Sequence, residues 1–512
     1  MLLGAAFTAL SLLAASVSGT IVKYTRPSVY SKSDVFEVKV NGSGLATVSY
    51  ERYDYVQWSM SEGTSTEVRI KAYRRKSIKS WSITPAALGI KAKIQRNELV
   101  FSLKKAQYLI IKIDDLKEFV AVSDPLETNV PKLGASNVFN AADYGANNNG
   151  SAVTNGIQKA LDAAGKKPGS VVYVGPGLYY PSNIVIPTKT SLYIAGGAVL
   201  RFTGKKKDYK VMYKKPDLHE GTWWIYTAKD STDIKLYGRG TIDGNGKYTR
   251  STKFMASLVV PAGTKNFHMD GLLVRESSFW SVNVVQVTDA NFSNLKLLNR
   301  FDVTQDDGID INESSRVKVR RTIAIANDDS FSVKTWRAET ETSKPYPYPP
   351  RISNDVTFDG CLAWTLCFAY KVGEGAWQPH SNIVFKNSHV YRAGVGIGIH
   401  HKFGSQPIRN VTWYNIHIEE LHGAPAGQAA WGTFFVNNVN LGIGPIEGLK
   451  IREIHAKRVG SRKGLIQGQS SSSMVNGVTF TDVYFGGKKA KNLKELNMNT
   501  SKFYKNIQVK NT

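Results

Sequence analysis

Ten short segments share one pattern. Apolar and polar residues alternate, and a polar residue, often Asn, breaks the run near its middle. The series begins at TDIKLYGRGTIDG (232–244), KNFHMDGLLV (265–274), ANFSNLKLL (290–298) and SRVKVRRTIAI (315–325). It continues through NDVTFDGCLAW (354–364), SNIVFKNSHV (381–390), RNVTWYNIHI (409–418), EGLKIREIHA (447–456) and NGVTFTDVYF (476–485) to KNIQVKN (505–511). Copies start roughly 25–39 residues apart. One such unit cannot bury its apolar face alone, whereas stacked units share a continuous core. Short strands at this period without intervening helices specify an all-β, right-handed parallel β-helix of about ten coils. A propeller blade needs four strands and about 40 residues, more than these copies supply.

Two Asp pairs follow the same rhythm. DDGIDI begins at Asp306, and DDSFSV begins at Asp328, 22 residues on. If that offset is one coil, Ile309 and Ile311 stack under Phe331 and Val333 and point inward. Asp306 then lies under Asp328, and Asp307 under Asp329, with neighbouring strands about 4.8 Å apart. Asp is a good turn residue, but two pairs in register crowd like charges, which is costly unless a carboxyl is protonated or hydrogen-bonded. Lys334 has the outward parity of Ser332. On the preceding coil, Trp280 and Asn283 read as a substrate floor.

The chain has 512 residues, of which 42% are hydrophobic, room for two domains. Residues 1–19 read as a secretory signal peptide, and six N-x-S/T sequons, at Asn41, Asn149, Asn291, Asn312, Asn410 and Asn499, suit secretion. Residues 20–125 alternate over short runs, as in DVFEVKV and TEVRIKAY, and predict an antiparallel β-sandwich. A Pro-containing linker spans 126–138. The catalytic helix then occupies 139–512, opened by a capping α-helix around TNGIQKALDAAG with Thr154 as its N-cap. Cys361 and Cys367 are left open between a pair and two free thiols. The net charge of +25 is compatible with an anionic partner. No nucleic-acid motif accompanies it, and no segment beyond the leader is apolar enough to cross a membrane. No metal or cofactor is called for, and a monomer is expected.

Glycosidic cleavage needs one protonated carboxyl and one ionised carboxylate, and crowded acids supply both states. VFNAADYGANNNG, GSVVYVGPGLYYPSNIVI and SLYIAGGAVLRF, followed by the spaced acids, resemble the polygalacturonase-like β-helix superfamily. DDGIDI and NDDSFSV resemble the motifs of glycoside hydrolase family 28. That resemblance implies Asp328 as general acid, Asp307 and Asp329 as the pair that activates water, and inversion at the anomeric carbon. Two departures stand out. Phe368 replaces the His of the family's Gly-His-Gly, and Gly398, Ile399 and His400 replace its carboxylate-gripping Arg-Ile-Lys.

Family 49 dextranases and isopullulanase resemble the chain in other respects, through an N-terminal sandwich, Gln305-Asp306-Asp307-Gly308, and GAWQP with Trp377 as a stacking platform. Gln305, Asp306, Lys334, Trp377, His400, His401, Lys402, Trp280 and Asn283 are therefore the expected substrate contacts. The missing Arg favours a neutral, dextran-like α-glucan as substrate. The 21 residues from Asp307 to Asp328 and the basic charge favour the alternative, a polygalacturonase. A polysaccharide lyase using Lys334 and a non-catalytic wall-binding solenoid are more distant alternatives.

Overall fold

The computed structural model describes residues 19–215, 219–337, 345–422, 429–437 and 443–512. The expected signal peptide lies almost wholly outside them. Two five-stranded sheets form the N-terminal sandwich. One has the order Ile21–Lys23, Tyr53–Met60, Glu118–Pro125, Tyr108–Ile113, Trp81–Thr84. The other runs Ser43–Gly44, Phe36–Val40, Thr66–Ala72, Glu98–Leu103, Ala92–Gln95. Alternation puts Phe36, Val38, Trp58, Val68, Ile70, Phe101, Ile111 and Phe119 between the sheets. One pairing corrects the antiparallel expectation: Tyr53–Met60 and Glu118–Pro125 run parallel. Period-two alternation reads the same in either direction, so the sequence pattern does not distinguish them.

From Val138 onward the chain winds into a right-handed parallel β-helix built from a 22-stranded and a 12-stranded sheet. Val282, Ile309, Phe331, Tyr370 and Ile397 form one inward column across five successive rungs, and all are buried. The polar break inside each repeat is a corner. Asn387 and Asn415 take φ values of 50° and 52° there, a left-handed conformation that Asn tolerates better than most residues. Their amides also form a ladder. Asn387 donates to Asp359 at 2.9 Å, and Asn415 donates to Asn387 at 3.0 Å.

The capping helix spans Gly156–Ala164 and buries Ile157, Ala160, Leu161 and Ala164. Asn155 stands at its N-cap position, while Thr154 Oγ1 accepts from Gly156 N at 3.1 Å. A second short helix, Gly246–Ser251, interrupts the strands and was not expected. Cys361 and Cys367 are free thiols. Asn312 is fully buried within a strand, so that sequon is not presented to solvent. No helix among the described residues is long and apolar enough to cross a membrane.

The sandwich packs against the wider sheet through Tyr30, Tyr50, Tyr53, Tyr55 and Tyr108, which meet Leu298, Ile323, Ile325, Trp364 and Tyr391. Arg275 stacks on Tyr30 and Tyr50 at 4.2 and 4.3 Å and donates to Tyr55 Oη at 2.8 Å.

Phe331 is fully buried directly beneath the acid-bearing corner and stacks on Tyr370 at 5.3 Å. Phe331→Ala is expected to cost about 3–5 kcal/mol. The shift in the urea unfolding midpoint, with unchanged slope, checks it.

Candidate active site

The register pairs Ile309 with Phe331, Ile311 with Val333 and Asn312 with Lys334, a step of 22 residues. Gly308 N donates to the Asp329 carbonyl at 2.9 Å, which continues the ladder into the corner. The Asp pairs therefore stack. Asp306 is fully buried, and its Oδ1 accepts from Asn327 N at 2.9 Å and Asp328 N at 3.1 Å. It shapes the corner that carries Asp328, which corrects its assignment as a substrate contact. Burial raises its carboxyl well above the usual range, against the two backbone N–H groups it accepts from.

Two buried lysines resolve the crowding of the rest. Lys334 Nζ lies 2.8 Å from Asp307 Oδ2 and 2.8 Å from Asp310 Oδ1. Lys371 Nζ lies 2.7 Å from Asp329 Oδ2. Burial disfavours both ammonium groups, but the carboxylates hold them above their ordinary range. Burial, then Asp307, pushes Asp310 far up, while Lys334 opposes the rise of Asp307. Asp307 and Asp310 thus share the Lys334 ammonium, with Asp310 pushed the further up. Asp328 has no ammonium of its own. Burial, followed by repulsion from Asp307 and Asp329, raises it to about 7.

Lys371 and Asp310 were missed by the sequence reading. Both lie on the outward column Asn283, Asp310, Ser332, Lys371, Gly398, Thr433. Counting parity from Tyr370, stacked on Phe331, would have found Lys371. The long gap between neighbouring repeat copies hid that register. Ligand atoms of Asp328, Asp329 and Cys367 lie within 4.8 Å of one another. The Lys371 ammonium already balances Asp329, so this cluster is not a bare acidic cage.

Beside the acids lies a largely buried aromatic cluster containing Tyr213, Trp223, Phe279, Trp280 and Trp336, with the half-buried Trp377 and Phe403 packed against it. Lys334 Nζ sits 4.4 Å from the Trp280 ring centroid. The indole N–H groups of Trp336 and Trp377 are buried without a hydrogen-bond partner among the described residues, as is Gln305 Oε1. Such groups cost stability unless a ligand satisfies them. Asn283 accepts from Asn312 Nδ2 at 2.7 Å and is largely buried. His400 and Lys402 reach partly exposed positions. His401 does not. It shares the inward parity of Ile399, is fully buried, and pairs with the Gln406 carbonyl at 2.8 Å, which corrects its assignment as a substrate contact.

The two departures at Phe368 and Gly398 are one feature. A Cβ at Gly398 would lie 2.8 Å from the Phe368 ring and 2.6 Å from the Thr433 carbonyl oxygen. The Phe ring fills the space that a longer side chain at 398 would need.

A raised folded-state pKa gives stability that is present below the unfolded carboxyl value and is lost as pH rises towards the folded one. For Asp328 that window runs from 3.8 to about 7. Asp328→Asn is therefore expected to raise the melting temperature at pH 8 and to leave it nearly unchanged at pH 3.5. Paired thermal scans check this.

Residues 181–347 match the family described as Glycosyl hydrolases family 28. An endo-polygalacturonase of Pectobacterium carotovorum subsp. carotovorum is 23% identical over 245 residues, 43% of this chain and 59% of that protein. The hyperthermoactive exopolygalacturonase of Thermotoga maritima superposes with a TM-score of 0.57 at 14% identity, over 75% of this chain and 93% of its own. Dex49A from Penicillium minioluteum superposes with a TM-score of 0.60 at 12% identity, over 95% of this chain and 96% of its own. At these identities the structural likeness bears on the fold, and Dex49A matches it across the sandwich as well as the helix. The chain is thus similar to glycosyl hydrolases family 28 over residues 181–347, and it shares its fold with the solved exopolygalacturonase and with Dex49A.

Proposed function

We propose that the protein is a secreted, inverting O-glycoside hydrolase that cleaves an α-linked polysaccharide of the galacturonan type. The observation that carries the reaction is the division of charge among three neighbouring carboxyls. Asp307 and Asp329 are ion-paired to buried lysines, and Asp328 is left to hold a proton near neutrality. Asp328 then protonates the leaving glycosidic oxygen. Asp307 and Asp329 orient and deprotonate the attacking water on the opposite face of the sugar. Lys334 and Lys371 fix both carboxylates and keep them from taking the proton that Asp328 must give. The indole surface receives apolar sugar faces, and Gln305 and the free indole N–H groups meet hydroxyls.

The family 28 match and the relative named endo-polygalacturonase support galacturonan over the dextran-like substrate that the missing Arg suggested. The net charge of +25 suits an anionic polymer through long-range attraction that weakens with salt. A neutral α-glucan is the second reading, favoured by one observation: His400 and Lys402 both lean on Glu374 rather than standing open. Lys334 speaks against a lyase reading, because its ammonium is paired with Asp307 at 2.8 Å and held above its ordinary range, which makes it a poor base. Secretion rests on the apolar leader and the sequons.

Reducing-sugar release is expected from galacturonan, offered both as polygalacturonate and as its methyl ester, in a panel that includes dextran, pullulan and rhamnogalacturonan. NMR of the first-formed product is expected to show the inverted anomer, and a retained anomer contradicts the mechanism. Asp328→Asn is expected to lower kcat by about 10²–10⁴-fold. Because the acid must be protonated, kcat/KM is expected to fall about tenfold per pH unit above about 7, which a pH–rate profile reads directly.

A further inference from the structure

A second closed set of charges lies along the cleft wall beyond the acids. Glu374 is on the strand Phe368–Ala376, three residues after Lys371. Its Oε1 is 3.3 Å from His400 Nδ1, and its Oε2 is 3.3 Å from Lys402 Nζ. Burial works against this carboxylate, yet Lys371, His400 and Lys402 hold it below the usual carboxylate range. His400 is clamped in place. Its ring stacks between Phe435, at 4.5 Å, and Phe368, at 6.4 Å. The Asn437 amide lies 3.5 Å from Nε2. With Nε2 accepting, the proton sits on Nδ1 and is donated to Glu374, and the ring is a neutral imidazole. Burial favours the same state.

The resemblance to polygalacturonases implies a cationic grip on a substrate carboxylate here, which in this chain only His400 or Lys402 could supply. His400 and Lys402 are both held on Glu374, burial disfavours a charged His400, and Gly398 has no room for a side chain. Lys371 is likewise committed, to Asp329. The geometry points to Glu374 as a specificity-determining residue. Its carboxylate occupies the grip of His400 and Lys402 from within, so the sugar unit lying on this rung is uncharged. This rests on the hydrolase reading above and refines it. An esterified uronate in a pectic chain and a neutral hexose in a glucan share the required chemistry. A free uronate on this rung would meet the Glu374 charge, while Lys371, His400 and Lys402 are already held by Asp329 and Glu374.

Binding rather than turnover tests the assignment, so it does not depend on which residue is the acid. The probes are oligogalacturonate, its methyl ester and isomalto-oligosaccharide, titrated calorimetrically into Asp328→Asn protein with and without Glu374→Gln. The ester, or the isomalto-oligosaccharide, is expected to bind at least about tenfold tighter than the free acid. Which of the two binds tells an esterified uronate from a neutral hexose. Glu374→Gln is expected to shift the acid-to-neutral affinity ratio towards the acid by about tenfold or more, and adding Lys402→Gln is expected to reverse that shift. A ratio unmoved by Glu374→Gln in folded protein overturns the proposal, as does equal weakening of every ligand. Lys402→Gln alone is an independent arm that keeps Glu374 intact. It is expected to change affinity for the free acid less than about twofold, and a tenfold loss overturns the proposal. Failure of the hydrolase reading would show separately, as absent turnover by the wild-type protein on the whole panel.

Discussion

A parallel ladder with constant register carries each side chain directly over its counterpart one rung away. Inside the helix this builds the apolar column of Val282, Ile309, Phe331, Tyr370 and Ile397. On the outer face the same rule forces like residues together, and at the corner before the strand it stacks acid on acid. Such an arrangement persists only where each added charge finds a partner or a proton. Lys334 and Lys371, on the rungs that carry and follow the second acid pair, supply the partners. Burial pushes Asp306 and Asp310 well above the usual carboxylate range. Half-buried Asp328, not ion-paired to a lysine among the described residues, is left poised between its two states near neutrality.

Much of this was legible in the sequence, because a solenoid converts sequence distance into spatial distance. The 22-residue spacing of the Asp pairs gave their stacking, and parity gave the inward isoleucines. Elsewhere the repeat loses its regularity and the reading fails with it. Lys371 and Glu374 lie beyond the insertion that stretches one coil, so their register to Asp329 and His400 could not be counted. His401 was misplaced for a simpler reason: in a strand, adjacent residues cannot both face the cleft. The Tyr53–Met60 and Glu118–Pro125 pairing was invisible because strand alternation carries no direction.

The sandwich reaches the chemistry through a short relay. Tyr53 Oη donates to the Asn299 carbonyl at 2.9 Å. The Asn299 amide in turn donates to Ser281 Oγ at 2.7 Å and to the Asp306 carbonyl. Asp306 holds the backbone of Asn327 and Asp328. The tyrosine-rich face of the N-terminal domain therefore braces the corner on which the proposed acid sits. On the other side of the cleft, the exchange of a His for Phe368 and of an Arg for Gly398 is a matched pair, which is why neither is understood alone.

The central claim is that Asp328 changes charge near neutrality, whereas Asp307 and Asp329 are each paired to a buried lysine. Carbon-13 NMR of protein labelled at the Asp carboxyls reads this directly across a pH titration. The expected result is one carboxyl resonance titrating near pH 7 that vanishes in Asp328→Asn. A resonance near pH 7 that survives the substitution, or the absence of any carboxyl titrating above about pH 5, would contradict the account.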